Sequence, residues 1–191
     1  MKPYRFFAFL SLVTLASCST ILVNTTNRDG IAEDPTERTA GAIVEDRSIE
    51  TKIAVNLKAE EPAFRAARFN VVSHNGVVLL VGQVESNELK AKAAEIASRA
   101  STKIKRIHNE LEISTITGLI ARGNDTWIAT KVRTLMLANG DIPSDQVRVV
   151  VENGAVFLMG IISQSEGDNA ANIARNVSGV TKVVKVFEYL S

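Results

Sequence analysis

The chain holds one thiol, Cys18, two imidazoles, His74 and His108, and one indole, Trp127. A lone cysteine has no disulfide partner, and two histidines without further thiols do not make a zinc set. His74 precedes Asn75-Gly76 and reads as an exposed turn residue, while His108 falls in a strand-like run. The carboxylates alternate with lysines at helical spacing, which marks solvated faces more than acid–base pairs. The glycines sit at turns and strand ends, and none forms a phosphate-cradling loop ahead of a helix. These patterns supply no catalytic residues, no metal ligands, no cofactor and no small-molecule substrate, so the expectation is a protein that is not an enzyme.

Cys18 is nevertheless placed for one kind of chemistry. It closes Leu15-Ala16-Ser17-Cys18, behind an apolar run from Phe6 to Ala16 and the basic residues Lys2 and Arg5. A positive start, a short apolar core and small residues before a cut are the marks of a secretory signal peptide. A cysteine directly after the cut suits the lipoprotein form: the thiol becomes a diacylglyceryl thioether and the freed amine takes a fatty acyl group such as palmitate. The apolar run is too short to span a bilayer, which needs about 20 residues. Residues 1–17 are therefore expected to be removed, and residues 18–45 to be an acylated N-terminus with a polar, flexible tether. Each buried CH₂ adds about 0.8 kcal/mol, so several acyl chains anchor stably. Ser19, in place of an aspartate, resembles the residue after the cysteine in lipoproteins sent on to the outer membrane of Gram-negative cells, so the expected location is the outer membrane, lipid-anchored and facing the periplasm. Removal of Lys2 and Arg5 from the 22 basic residues, set against 21 acids, leaves a net charge near −1. No global basic field points to nucleic acid.

The remainder is a tandem duplication. Asp46-Arg-Ser-Ile49-Glu-Thr-Lys52-Ile53 aligns with Asp125-Thr-Trp-Ile128-Ala-Thr-Lys131-Val132, and Asn75-Gly76 aligns with Asn153-Gly154. Each copy opens with helically spaced apolar residues: Ile49, Ile53 and Leu57, then Ile128, Val132 and Leu135. Asp46 and Asp125 occupy expected N-cap positions. Two β-branched runs joined by Asn-Gly predict a hairpin. A second helix follows, with Ser163 and Glu166 as a capping box in the second copy, and a last strand closes each repeat. The order α-β-β-α-β predicts an α+β class, with two helices on a three-stranded mixed sheet in each domain. The domains are expected at 46–113 and 125–191, with a linker at 114–124.

This order resembles the BON domain, as do the Asn-Gly hairpin, Gly82 and Gly160 after the second strand of each copy, and the runs Asn124-Asp125-Thr126-Trp127-Ile128 and Glu152-Asn153-Gly154. Two such domains behind a lipoprotein signal resemble a class of bacterial outer-membrane lipoproteins. The resemblance implies a role in envelope integrity, with enrichment at cell division sites. It also implies binding of anionic phospholipid through the first helix of the second domain, which carries over to Trp127, Lys131, Arg133, Thr134 and Leu137. The implied partners are a membrane, through acyl anchor and phospholipid, or an outer-membrane assembly or cell-wall protein.

The two copies differ on that helix. At about 100° per residue, Trp127, Lys131, Thr134 and Leu137 fall away from the Ile128–Val132 stripe, and Arg133 fits that outer group least well. Repeat one has Ser48 and Lys58 where repeat two has Trp127 and Leu137. A tryptophan among hydroxyls and a lysine suits a membrane interface. Packing of Trp127 in an inter-domain seam and docking of a protein partner are the alternatives. Neither repeat carries a domain-wide basic excess, so lipid binding would rest on a local patch. Gly82 and Gly160 read as structural glycines permitting a bend or close backbone approach. For Cys18, mass spectrometry of the mature chain is expected to find an N-terminal cysteine bearing diacylglyceryl and N-acyl groups. Cys18→Ala should stay uncleaved and unlipidated; a variant that is still acylated would refute the anchor.

Overall fold

The computed structural model describes residues 34, 36–114 and 119–190, so the signal segment and Cys18 lie outside the described residues. Along the chain run α1 (Ala40–Glu60), a short 3₁₀ turn (Pro62–Arg65), β1 (Arg68–His74), β2 (Val77–Val84), α2 (Asn87–Arg99) and β3 (Arg106–Ile113). The same series recurs as α3 (Leu119–Ala138), β4 (Arg148–Glu152), β5 (Ala155–Ile162), α4 (Gln164–Arg175) and β6 (Lys182–Tyr189). In each half the middle strand pairs antiparallel with the preceding strand and parallel with the last, giving mixed sheets of order β1-β2-β3 and β4-β5-β6. The fold is α+β, two α-β-β-α-β domains, as the repeat pattern predicts.

Each domain buries one sheet face under its helices. Ile49, Ile53 and Leu57 of α1 and Leu89, Ala93 and Ile96 of α2 meet Val71, Val78, Leu80 and Leu111. In the second domain Ile128, Val132 and Met136 of α3 and Ala170, Ala171 and Ala174 of α4 meet Val149, Val156, Leu158 and Phe187. The capping box stands on α4: Ser163 Oγ accepts from the Glu166 N–H, and Glu166 Oε2 accepts from the Ser163 N–H.

The first helices depart from expectation in a consistent way. They begin at Ala40 and Leu119, six residues before the aspartates, and α1 is capped by Thr39, whose hydroxyl accepts from the Ala42 N–H. Asp46 and Asp125 are therefore not N-caps. Both are buried inside their helices. Asp46 accepts from the Asn75 and Gly76 N–H groups at 2.8 and 2.9 Å, and Asp125 from those of Asn153 and Gly154 at 2.9 and 2.8 Å. Each aspartate satisfies the inward N–H groups of a hairpin turn whose Asn and Gly both have positive φ (52° and 78°, 50° and 78°), the type I′ geometry that Asn-Gly favours. Burial alone would raise the Asp46 carboxyl's pKa, but hydrogen bonds from Ser73, Gly76, Asn75 and Arg38 together hold it below the usual value.

The second faces of the two sheets pack on each other. Val72, Val77, Leu79 and Val81 from one domain and Ala155, Phe157, Met159 and Val186 from the other form a single buried cluster. Every residue of β2 is buried as a result. Polar contacts ring this seam with approximate two-fold repetition. Asn75 Nδ2 donates to Glu188 Oε2 at 3.0 Å, and its counterpart Asn153 donates to Glu112 Oε2 at 3.4 Å. Lys105 pairs with Glu188 and Lys182 with Glu110, both at 3.0 Å. Glu152 is buried; its Oε1 accepts from Gln83 Nε2 at 2.7 Å and lies 3.2 Å from Arg68.

His74 is not an exposed turn residue. It is only 6% exposed, and it lines a cavity with Arg38, Asp46, Glu50, Gln146 and Arg148. Burial, reinforced by Arg38 and Arg148 against the opposing pull of Asp46 and Glu188, lowers its pKa to about 4. Between pH 6.5 and about 4 the unfolded chain therefore binds a proton that the folded chain refuses, and stability falls with pH across that window by about 3 kcal/mol. Above pH 6.5 His74 adds no slope, and Asp46 contributes its own loss only as pH drops below 3.8. Urea midpoints from pH 7 to 4 should decline in the parent and decline less in His74→Gln; equal slopes would exclude His74 as the source. Gly160 is tightly fitted, since a Cβ there would lie 2.7 Å from the Gln146 carbonyl oxygen. Gly160→Val is expected to cost about 2 kcal/mol or more, and a midpoint equal to the parent's would show that the strand can yield.

Candidate functional site

On α3 the buried line runs Asp125, Ile128, Val132 and Met136. Leu135, expected in the core, is 36% exposed, and Met136 takes its place at 1%. Reading Asp125 as a cap removes it from the buried stripe and misplaces the stripe's centre. With Asp125 and Ala129 included, the inward direction turns by about 60° toward Met136. That turn sets Trp127, Thr130, Lys131, Thr134 and Leu137 squarely outward.

The outer face is apolar beyond what its composition suggests. Trp127 is 51% and Leu137 75% exposed. Between them Thr130 and Thr134 each donate their hydroxyl to the carbonyl four residues back at 2.9 Å, and Thr126, on the border with the neighbouring flank, does the same at 3.0 Å. A threonine bonded this way spends its hydroxyl on its own helix and leaves its methyl group as the exposed surface. The ladder was invisible in the sequence, where three threonines read as polar. Lys131 stands exposed beside this strip. The matching face of α1 carries Ser48, and its exposed Val44 and Val55 are interleaved with Arg47 and Lys58.

Of the five residues carried over to this helix, the structure brings four together: Trp127, Lys131, Thr134 and Leu137. Arg133 lies apart on the flank, where one guanidinium nitrogen donates to the Val149 carbonyl oxygen at 2.6 Å. Trp127 is exposed and does not belong to the buried inter-sheet cluster. Among the glycines, Gly82 has φ +125°, a backbone state that residues with a Cβ rarely adopt, and a Cβ there would run into Arg68 O and the Phe69 main chain. No helix among the described residues is long and apolar enough to cross a membrane. No group of three or more metal-binding side chains occurs among them either.

The hairpin-clasping aspartate in each first helix, the mixed three-stranded sheets and the tandem arrangement coincide with a known family. Residues 45–115 and 124–191 each match the BON domain, and the chain belongs to that family. It is 37% identical over 160 residues to the outer membrane lipoprotein DolP of Haemophilus influenzae, covering 84% of this chain and 81% of that one. It is 39% identical over 153 residues to a 21 kDa hemolysin of Actinobacillus pleuropneumoniae, covering 80% and 78%. A more distant relative is the osmotically-inducible protein Y of Escherichia coli, 27% identical over 163 residues, covering 83% and 80%. This likeness places the chain among outer-membrane lipoproteins built on BON domains.

Proposed function

We infer that the chain is a non-enzymatic lipoprotein on the periplasmic side of the outer membrane that uses the outer face of α3 as a second contact with anionic phospholipid. The observation that carries this reading is the strip from Trp127 to Leu137, apolar because its threonine hydroxyls are turned inward. An indole at headgroup depth with leucine and threonine methyls below it is the geometry of an interfacial helix. Lys131 at the rim meets anionic headgroups, and attraction to such lipid is worth about 1 kcal/mol per basic residue near the surface. With so few charges, apolar insertion supplies the affinity and charge supplies the preference. Such a contact would let an acylated protein sense local lipid composition, consistent with a role in envelope integrity and with enrichment at division sites.

The test uses the single tryptophan. On adding phosphatidylglycerol vesicles to the chain from Ser19 onward, Trp127 emission should shift to the blue, and high salt should weaken the response by screening. Phosphatidylcholine vesicles should give little shift. Leu137→Glu, at a position 75% exposed and so of little consequence for folding, should abolish the shift. No change with either lipid would sink the membrane reading and leave an outer-membrane assembly or cell-wall protein as the occupant of this face.

A further inference from the structure

The flank of α3 next to the tryptophan strip, on the Arg133 side, borders a groove between the two domains. It has a volume of about 480 Å³ and is walled by α3, by β1 of the first domain and by β4 of the second. Four arginines line it: Arg68, Arg122, Arg133 and Arg148. An adjoining cavity shares Arg68 and Arg122 and adds Lys58 and Arg65.

The acids nearby are already engaged. Asp125 accepts from the two hairpin N–H groups, and Glu152 is held by Gln83 and Arg68. Glu50 receives Arg148 at 3.2 Å and the Ser73 N–H at 2.9 Å. Arg133 is oriented by a main-chain carbonyl, which directs its guanidinium without neutralising it. Arg122 has no hydrogen bond or ion pair through its guanidinium among the described residues; only its carbonyl is used, by Thr126. Arg122, Thr126, Ala129 and Arg133 recur at helical spacing, so two arginines without an ion pair among the described residues sit on one stripe of α3 facing the groove, which the hydrogen-bonded Asp125 also lines.

We propose that this inter-domain groove is a binding site for a phosphate group, with Arg122 and Arg133 as its principal donors and Arg68 and Arg148 as a wall fixed by their own ion pairs. Guanidinium groups present forked donors that suit phosphate oxygens. A single fork would saturate a carboxylate, whereas arginines approaching from three strands or helices match a tetrahedral anion. The groove is far larger than a bare ion, so the phosphate is expected to come as an ester, either a lipid headgroup or a free phosphate ester. The site does not depend on whether the tryptophan strip touches a bilayer.

The test titrates the full-length chain in neutral detergent with sn-glycerol 3-phosphate, then with phosphatidylglycerol or phosphatidylcholine in mixed micelles, while recording arginine side-chain N–H resonances. The expected result is a saturable shift of the Arg122 and Arg133 signals at constant ionic strength. Arg122→Gln should weaken binding about tenfold, from loss of a charge-assisted hydrogen bond. Its exposed, unbonded guanidinium makes an unchanged melting temperature the expected control. Lys103→Gln, which removes a cation outside the groove, should leave affinity unchanged. Shifts with phosphatidylglycerol identify a lipid headgroup; shifts with glycerol phosphate alone identify a free ester. Absence of shifts with both, or affinity that survives Arg122→Gln intact, overturns the site. Because the glycerol phosphate arm contains no anionic lipid, its outcome is independent of the Trp127 vesicle experiment.

Discussion

The arrangement depends on the burial of both faces of each three-stranded sheet. A sheet this small, left with Val72, Val77, Leu79 and Val81 in water, would present a continuous apolar surface. Its partner presents Ala155, Phe157, Met159 and Val186, and the two close on one another. Once they do, the helices must lie on the outside, and their outer faces are the surface each domain presents. The same closure brings the edge strands β1 and β4 together beside α3, creating the arginine-lined groove. The polar ring contributes little energy where it is exposed, since surface ion pairs are worth about 0–1 kcal/mol. Buried Glu152 is different: losing Gln83 or Arg68 would strand a charge, so the cluster fixes which way the sheets meet.

A second constraint ties each first helix to its own hairpin. A type I′ turn turns two main-chain N–H groups inward, where no strand can satisfy them, and an unpaired buried donor costs about 1–3 kcal/mol. Asp46 and Asp125 meet that need from within a helix. The interaction also sets the rotation of the helix, because the aspartate must face the turn. On α3 that rotation carries Met136 inward, lets Leu135 out and aims Trp127 at solvent. Local hydrogen-bond accounting inside the domain thus decides what the surface offers.

The repeat, the strand order and the fold class were legible because apolar periodicity and Asn-Gly report directly on local structure. What was hidden is tertiary. An aspartate three residues before an apolar run looks like a cap whether or not the helix extends past it, and only the hairpin's needs distinguish the cases. His74 beside Asn-Gly reads as an exposed turn residue, because the sequence does not show Arg38, Gln146 and Arg148 closing around it. The apolar runs Val77–Val81 and Ala155–Met159 did carry the signal for two-sided burial, since a strand with one wet face alternates. Arg133 fits the outer group least well on the helical wheel, and its hydrogen bond to the Val149 carbonyl shows where it belongs.

The duplication makes the functional surface interpretable by subtraction. Both copies need the buried aspartate, the apolar stripe and the hairpin, so those features cannot distinguish one domain's task from the other's. What remains is what only one copy has. Where α3 carries Trp127 and Leu137, α1 carries Ser48 and Lys58, an ordinary solvated choice. Arg122 corresponds to Ile43 in the first copy, and Arg133 to Ala54. Both departures, the apolar strip and the cationic flank, therefore fall on a single helix of the second domain. They lie on neighbouring flanks of it, which keeps the apolar contact proposed for one apart from the phosphate site proposed for the other.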